Sequence, residues 1–397
     1  MQISLLLERE PFPEIIARTL ERFLPQLTGR LHRVRWAAKS RSPNSGAQQW
    51  FCNHYLNAIF AKGAPSEVFR PVVGEFSRSS SPWRRPFQRG YVALASSSRY
   101  ASILAQSRLD VSPPITDAMD WLIVGGNHKI RLLNHRTRRC YSVLKEGFEI
   151  DFLRTEVSAR RLARETGVSV PMVREVASED SWFLEDYVAG IPLNRLSNRD
   201  AANRTLLDVM KELERLSEST SRPMEVRVYA QSLANTARAS LVSAGAIDAS
   251  LHNRIEACLG LLREVLESVG DESITTVRCH GDLQPGNILW RSDGHSVIDW
   301  EYAARRQAGY DHLVYQLRTR FPKGLAHRLE SFVASGLEGR KEESGSRRRR
   351  TAHLLCLEEL ELNLRESRNP LFFSVGDSFR ELVDELETWL FGKGGGR

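Results

Sequence analysis

His280, Asp282, Asn287 and Asp299 are the residues whose types and spacing could do chemistry. They lie in Cys279-His280-Gly281-Asp282-Leu283-Gln284-Pro285-Gly286-Asn287-Ile288-Leu289-Trp290, followed by Val297-Ile298-Asp299-Trp300-Glu301. Phosphoryl transfer to a hydroxyl needs a carboxylate near that hydroxyl, oxygen ligands for Mg²⁺ and a cation on the nucleotide phosphates. Asp282 is placed for the first role. Asn287 stands where the loop enters a strand and offers a neutral oxygen to a metal. Asp299 falls at the far end of the paired strand, and a hairpin of that length returns its carboxylate beside Asn287. His280 can brace the loop through a hydrogen bond. Each residue alone reads as a cap or turn former. The pattern His-x-Asp-x-x-x-x-Asn followed by apolar-apolar-Asp at hairpin distance is what carries the reading.

The elements that must position these residues are legible from periodicity and turn chemistry. Asn287 to Trp290, a turn at Arg291-Ser292-Asp293-Gly294, and His295 to Trp300 predict a β-hairpin. Further back, Leu122-Ile123-Val124 runs into Gly125-Gly126-Asn127, then Lys129 to Leu133 and Tyr141 to Lys145 read as another hairpin. Asp151 to Thr166 predicts a helix with Leu153, Val157 and Leu162 on one face, closed by Gly167. Val168 to Pro171 and Trp182 to Val188 read as extended. Beyond Gly190-Ile191-Pro192 the chain turns helical over 200–217, 251–269, 325–337, 351–366 and 378–390. The first ~115 residues mix a helix around Ile15, Ile16, Leu20, Phe23 and Leu24 with breaker-rich stretches at 40–46 and 77–86, and Ser112-Pro113-Pro114 marks a boundary. Arg347 to Arg350 reads as a solvated loop, and Gly394-Gly395-Gly396 as a flexible tail.

HGDLQPGNIL followed by VIDWE resembles the signature of the aminoglycoside phosphotransferase and choline kinase family, over about residues 118–320. The resemblance implies an α+β, bilobal protein-kinase-like fold: a small β-rich N-lobe at 116–188, a larger, mostly helical C-lobe at 189–397, and an extra N-terminal region at 1–115. It implies ATP and Mg²⁺ as cofactors, Asp282 as catalytic base, His280 as the loop brace, and Asn287 and Asp299 as metal ligands. Glu301 matches a second acidic position that serves metal or acceptor, and Asp311 the later Asp that supports the loop. In the N-lobe, Lys145 resembles the phosphate-contacting lysine and Glu156 its helix partner. Gly125 and Gly126 occupy the nucleotide-loop position without a full G-x-G-x-x-G, and Asp186, Tyr187 and Val188 resemble the hinge that receives adenine.

Composition sets the outer bounds. The 397 residues are 41% hydrophobic and 26% charged, which is ordinary for a globular protein and excludes collagen, coiled coil and wholesale disorder. A net charge of +7 reads as a generally basic surface rather than a nucleic-acid face. Five cysteines without C-x-x-C spacing fit neither a disulfide framework nor a zinc knuckle and point to a reducing compartment. No stretch approaches the ~18 apolar residues needed to cross a bilayer, so the expectation is a cytoplasmic protein with no membrane insertion. Its partner would be a small-molecule hydroxyl acceptor. Between Glu301 and Glu330 the chain carries Arg305, Arg306, Arg318, Arg320, Lys323 and Arg328 against Glu301, Asp311 and Glu330. That excess predicts a neutral or anionic, sugar-like or metabolite acceptor, with an aminoglycoside or choline/ethanolamine kinase as the second alternative. No Ala-Pro-Glu-type anchor follows Asp299, which argues against a protein kinase. The rival reading is a catalytically silent nucleotide-binding or interaction module. The sequence leaves the acceptor, the oligomeric state and the role of residues 1–115 open.

Overall fold

The computed structural model describes residues 2–40, 46–76, 83, 85–269, 272–337 and 344–392. The breaker-rich stretches expected at 40–46 and 77–86 lie largely outside these residues, and the Gly394–Gly396 tail lies wholly outside them. The chain divides into two compact units. One takes the described residues of Met1–Val157, Val170–Ala202 and Leu289–Ser296, and the other those of Ser158–Ser169, Asn203–Ile288 and Val297–Arg397.

The first unit is built on a nine-stranded antiparallel sheet of order β1-β4-β2-β3-β5-β6-β7-β9-β8. Its strands are β1 (Arg33–Ala38), β2 (Gln48–Asn53), β3 (Ala58–Ala61), β4 (Ser107–Ser112), β5 (Trp121–Gly125), β6 (Lys129–Asn134), β7 (Arg139–Leu144), β8 (Val173–Val176) and β9 (Trp182–Asp186). Alternation along the strands gives the sheet two buried faces. Trp50, Ile59, Ile123, Ile130 and Val143 pack on one face against α1 (Ile3–Arg9) and α2 (Phe12–Thr28). Phe51, Phe60 and Leu122 pack on the other with the buried side chains around α3 (Arg70–Phe76), α4 (Arg85–Ala95) and α5 (Ala101–Leu104). Helix α2 is strongly amphipathic, burying Ile15, Ile16, Leu20, Phe23 and Leu24, each worth about 1.5–3 kcal/mol. The strands of residues 33–112 therefore continue the sheet across the prolines at 113 and 114, since β3 pairs with β5 at Ile59–Ile123 and Phe60–Leu122. Helix α6 (Asp151–Glu165) follows β7.

The second unit is mostly helical, giving the expected mixed α+β class. Helix α7 (Arg199–Thr220) leads into it, followed by α8 (Val226–Ser243), α9 (Ala249–Glu267), α10 (Tyr310–Leu317), α11 (Leu325–Ser335), α12 (Gly345–Ser367) and α13 (Asp377–Phe391). Leu259, Leu262, Leu313, Leu329, Leu357, Leu360 and Leu386 meet in one core. Helix α12 runs through it and carries three buried acids, Glu358, Glu359 and Glu361. The Arg347–Arg350 run belongs to the start of this helix and not to a loop. Ser344 caps it by accepting the Arg347 N–H at 3.3 Å, and Arg348 reaches the carbonyls of Val333 and Ala334, each at 2.8 Å. Helix α8 lay hidden in the sequence between the expected helices. Among the described residues no helix is long and apolar enough to cross a membrane, and all five cysteines are free and buried.

Candidate active site

The segment from Cys279 to Glu301 folds as strand, loop and hairpin, with Leu289–Ser296 counted in the first unit and the rest in the second. Strand β10 (Ser273–Cys279) delivers the loop, and Ile288–Arg291 and Gly294–Val297 form the hairpin. The hairpin returns the backbone beside Asn287: the Ile298 N–H donates to the Asn287 carbonyl at 2.9 Å, and Asp299 follows in sequence. Asp299 itself sits at φ 71°, a left-handed conformation that non-glycine residues seldom hold.

His280 is fully buried and holds the loop through both ring nitrogens. Its Nε2 faces the Ile298 carbonyl at 2.9 Å, and its Nδ1 faces the Asp282 N–H at 3.2 Å. A carbonyl only accepts and an amide N–H only donates, so these partners assign the neutral tautomer protonated on Nε2. The His280 ring also packs on Trp300, centroids 4.6 Å apart. Asp311, at the start of α10, accepts the N–H of His280 on one oxygen (2.7 Å) and of Gly281 on the other (2.9 Å). Burial pushes its carboxyl up, against the pull of these two N–H groups. Gly281 is at φ 86°, and a Cβ there would lie 2.0 Å from the Tyr302 carbonyl oxygen, so only glycine fits.

Asp282 is 8% exposed. Its Oδ2 accepts from Gln284 Nε2 and Asn287 Nδ2, each at 3.0 Å, and its Oδ1 from Arg320 Nε at 2.5 Å. The Asn287 nitrogen is also 2.9 Å from the Asp282 carbonyl. With the amide nitrogen so engaged, Oδ1 is the Asn287 atom suited to a cation. Arg320 continues to the Gly281 carbonyl at 2.6 Å and to Glu359, whose other oxygen accepts the Tyr310 hydroxyl. Burial works against the Arg320 charge, and Glu359, Tyr310 and Asp282 outweigh it and raise its pKa. Glu301 is buried.

Arg320 had been counted only as part of a basic excess, and the structure changes the meaning of that excess. Arg305 donates to the carbonyls of Thr220 and Thr276, at 3.0 and 2.9 Å, and Arg306 pairs with buried Glu361. Arg328 reaches the carbonyls of Leu317, Lys323 and Phe321. Four of the six basic residues, Arg305, Arg306, Arg320 and Arg328, are thus engaged by the chain's own carbonyls and carboxylates. An open cleft of about 610 Å³ beside Arg320 is lined by Lys323 and Arg380, with Asp377, Glu381 and Asp384 from α13. The acids of α13 lie outside the 301–330 window in which the charges had been weighed.

In the sheet unit, the Gly125-Gly126-Asn127 turn links β5 to β6. A Cβ on Gly126 would stand 2.7 Å from the Lys129 carbonyl oxygen, which is why glycine occupies it. The Asn57 side chain brackets Gly125, accepting its N–H at 2.9 Å and donating to its carbonyl at 2.7 Å. The expected lysine–glutamate pair has a different arrangement. Lys145 forms a buried ion pair with Glu10, and Glu156 takes the ammonium of Lys129. Of the expected hinge, the Asp186 N–H donates to the Met172 carbonyl (3.2 Å) and the Tyr187 N–H to that of Arg138 (3.0 Å). The Asp186 carboxylate clamps Arg174 at the surface, and Val188 follows directly. Glu10, Asn57, Lys129, Arg320 and Glu359 were not among the expected site residues, because their partners are distant in sequence.

Residues 149–345 match the profile of the Phosphotransferase enzyme family, APH. The match starts after β7, so the strands through Lys145, which the resemblance over 118–320 had included, lie outside it. No curated protein matches the chain. Solved structures align to it at low identity. A choline/ethanolamine kinase family protein from Mesorhizobium loti is 16% identical over 69% of this chain and 88% of its own, with a TM-score of 0.45. The choline kinase LicA from Streptococcus pneumoniae is 14% identical over 69% of this chain and 90% of its own, with a TM-score of 0.45. A thermostable mutant of aminoglycoside phosphotransferase APH(4)-Ia, in ternary complex with ADP and hygromycin B, is 14% identical over 70% of this chain and 95% of its own, with a TM-score of 0.46.

Proposed function

This chain belongs to the phosphotransferase enzyme family through residues 149–345, and on that premise we propose that it transfers the terminal phosphoryl group of Mg·ATP to a hydroxyl of a small polar molecule. The observation that carries the proposal is the setting of Asp282. Arg320, Gln284 and Asn287 fill three of the about four lone-pair positions of its carboxylate. One position is left to accept the acceptor's hydroxyl proton. His280 and Asp311 fix the loop backbone, so the carboxylate is oriented before any acceptor arrives.

The residues present suit the cofactors. Asn287 Oδ1 and the Asp299 carboxylate form an all-oxygen donor set, coupled by the Ile298–Asn287 hydrogen bond, and hard oxygen ligands suit Mg²⁺. When bound, Mg²⁺ would neutralise charge on the nucleotide phosphates. The sheet unit carries two buried lysine–carboxylate pairs, Lys129–Glu156 and Lys145–Glu10, and the Lys145 ammonium also donates to the Gly126 carbonyl at 3.2 Å. The cleft beside Arg320 has side chains of both signs, which suits a hydroxyl-rich, neutral, sugar-like acceptor. The five reduced, buried cysteines suit a reducing compartment such as the cytoplasm.

A catalytically silent nucleotide-binding module is the second reading. It is favoured by one observation, that Glu10 and Asn57 engage Lys145 and the Gly125 backbone at the nucleotide turn. An acceptor screen separates the two: ATP consumption with a panel of neutral sugars, anionic sugar phosphates, amino alcohols and aminoglycosides. Transfer to a neutral sugar that requires Mg²⁺ supports the first reading. Transfer to aminoglycosides in preference to sugars contradicts the acceptor class. ATP binding without transfer to any compound supports the silent module.

A further inference from the structure

We infer that Arg222, Arg278 and Arg305 form a binding site for a single phosphate group, on the small three-stranded sheet of the helical unit. The site uses none of the residues placed around Asp282, and the inference is independent of the phosphotransferase reading.

The register brings the three arginines to one face. Strands Arg222–Glu225 and Ala304–Gln307 flank β10, both antiparallel to it. Arg278 lies directly opposite Arg305, and Arg222 directly opposite Thr276. Paired residues share a face, and so do Thr276 and Arg278, two positions apart on β10, so all three arginines leave the sheet on the same side. Val277 and Arg306, also opposite each other, take the other side and are buried. Directly opposed Cβ atoms stand about 4.5–5.5 Å apart and diagonal ones about 7–8 Å, within reach of three long side chains converging on one anion.

Like charges directly opposite each other destabilise a sheet, and nothing in the described chain offsets these. Among the described residues no carboxylate pairs with any of the three, and the side chains of Arg222 and Arg278 have no hydrogen-bond partner. Glu225 and Glu272, the acids beside these strands, face Arg227 and Arg350 instead. Arg306, the next residue along, has its own carboxylate in Glu361. Arg305 is half-buried and anchored, its Nη1 donating to the carbonyls of Thr220 and Thr276 at 3.0 and 2.9 Å. Burial lowers its pKa, and the charges of Arg222 and Arg278 lower it further, so the three guanidinium groups act on one another. The guanidinium fork matches phosphate oxygens bidentately, and a phosphate would turn this repulsion into charge-assisted hydrogen bonds. The other exposed residues of these strands are Pro223, Ser273, Thr275 and the Arg227-paired Glu225. Positive charge is thus confined to a spot the size of one phosphate and does not form a track along which a nucleic-acid backbone would lie.

The test is thermal unfolding of the full chain at fixed pH and ionic strength, with chloride replaced stepwise by inorganic phosphate or by glycerol phosphate, a phosphomonoester. The expected result is a saturable rise in melting temperature. Saturation at the lower concentration by inorganic phosphate assigns the free anion, and by glycerol phosphate a phosphorylated metabolite. The double variant Arg222→Gln/Arg278→Gln is expected to need about tenfold more ligand, or beyond that. Arg222→Glu places a carboxylate inside the cluster, so it should melt above wild type without phosphate and gain nothing from adding it. No shift in wild type, or the same shift in wild type and both variants, overturns the inference. Oligonucleotide binding that the double variant abolishes, without a response to phosphate, makes this surface a nucleic-acid face and also overturns it.

Discussion

Arg320 holds Asp282 in a fork: its Nε is 2.5 Å from Asp282 Oδ1 and its Nη2 is 2.6 Å from the Gly281 carbonyl, two residues of the same loop. Its remaining arm reaches Glu359 on α12, so the candidate base is tied to the helical core. A lysine carries the charge but cannot span three acceptors. Arg320→Lys is expected to lower kcat about tenfold with the KM for ATP unchanged, because it loosens the base and not the nucleotide. Steady-state kinetics check this, and a change confined to KM would contradict it.

Gly281→Ala should disable the loop outright. The left-handed φ adds about 1–2 kcal/mol, and the new methyl meets the Tyr302 carbonyl at 2.0 Å. Chemical denaturation should show a loss of more than about 2 kcal/mol, with activity falling further because Asp282 follows directly.

Asp299→Ala should act on the metal. Asp299 and Asn287 are coupled through the Ile298 N–H. The variant should need about tenfold more Mg²⁺, or beyond that, for half-maximal activity. Its thermal shift with Mg·ATP should shrink toward that seen without Mg²⁺.

Glu358 gives a stability signature with a defined sign. Burial raises its pKa to about 6, from the ordinary 4.5, against the pull of Arg306 and the hydrogen bonds of Tyr229 and Gln307. The folded protein therefore binds a proton there that the unfolded chain releases earlier. That contribution is full below about pH 4.5 and is lost as pH rises through about 6. A shift of this size corresponds to about 2 kcal/mol. The stability of wild type relative to Glu358→Gln should fall across that window, as measured by denaturation at a series of pH values.

The candidate loop was legible in the sequence because its residues are contiguous. Asp282, Asn287 and Asp299 lie on one loop and one hairpin, and turn residues fix that geometry locally. The partners that hold it were not legible. Arg320 is 38 residues from Asp282, and Glu10 is 135 residues from Lys145. Such pairings are set by packing of α1, α2 and α12, which no local pattern reports. Lys145 illustrates the limit: an apolar strand ending in lysine before a helix with Glu156 is a genuine local signal. Strand alternation nonetheless turns that lysine toward Glu10. Ser112-Pro113-Pro114 was read as a boundary because a connection inside a sheet and a linker between domains use the same residues. The strands on either side of it, β4 and β5, belong to the same nine-stranded sheet.

The most direct test of the central claim is phosphoryl transfer from Mg·ATP to the best acceptor, compared between wild type and Asp282→Asn. The substitution keeps the shape of the side chain and removes its ability to take the hydroxyl proton. The account predicts a loss of about 10³-fold or more in kcat, about 4 kcal/mol of transition-state stabilisation, with ATP binding retained. Turnover by Asp282→Asn at the wild-type rate would contradict it.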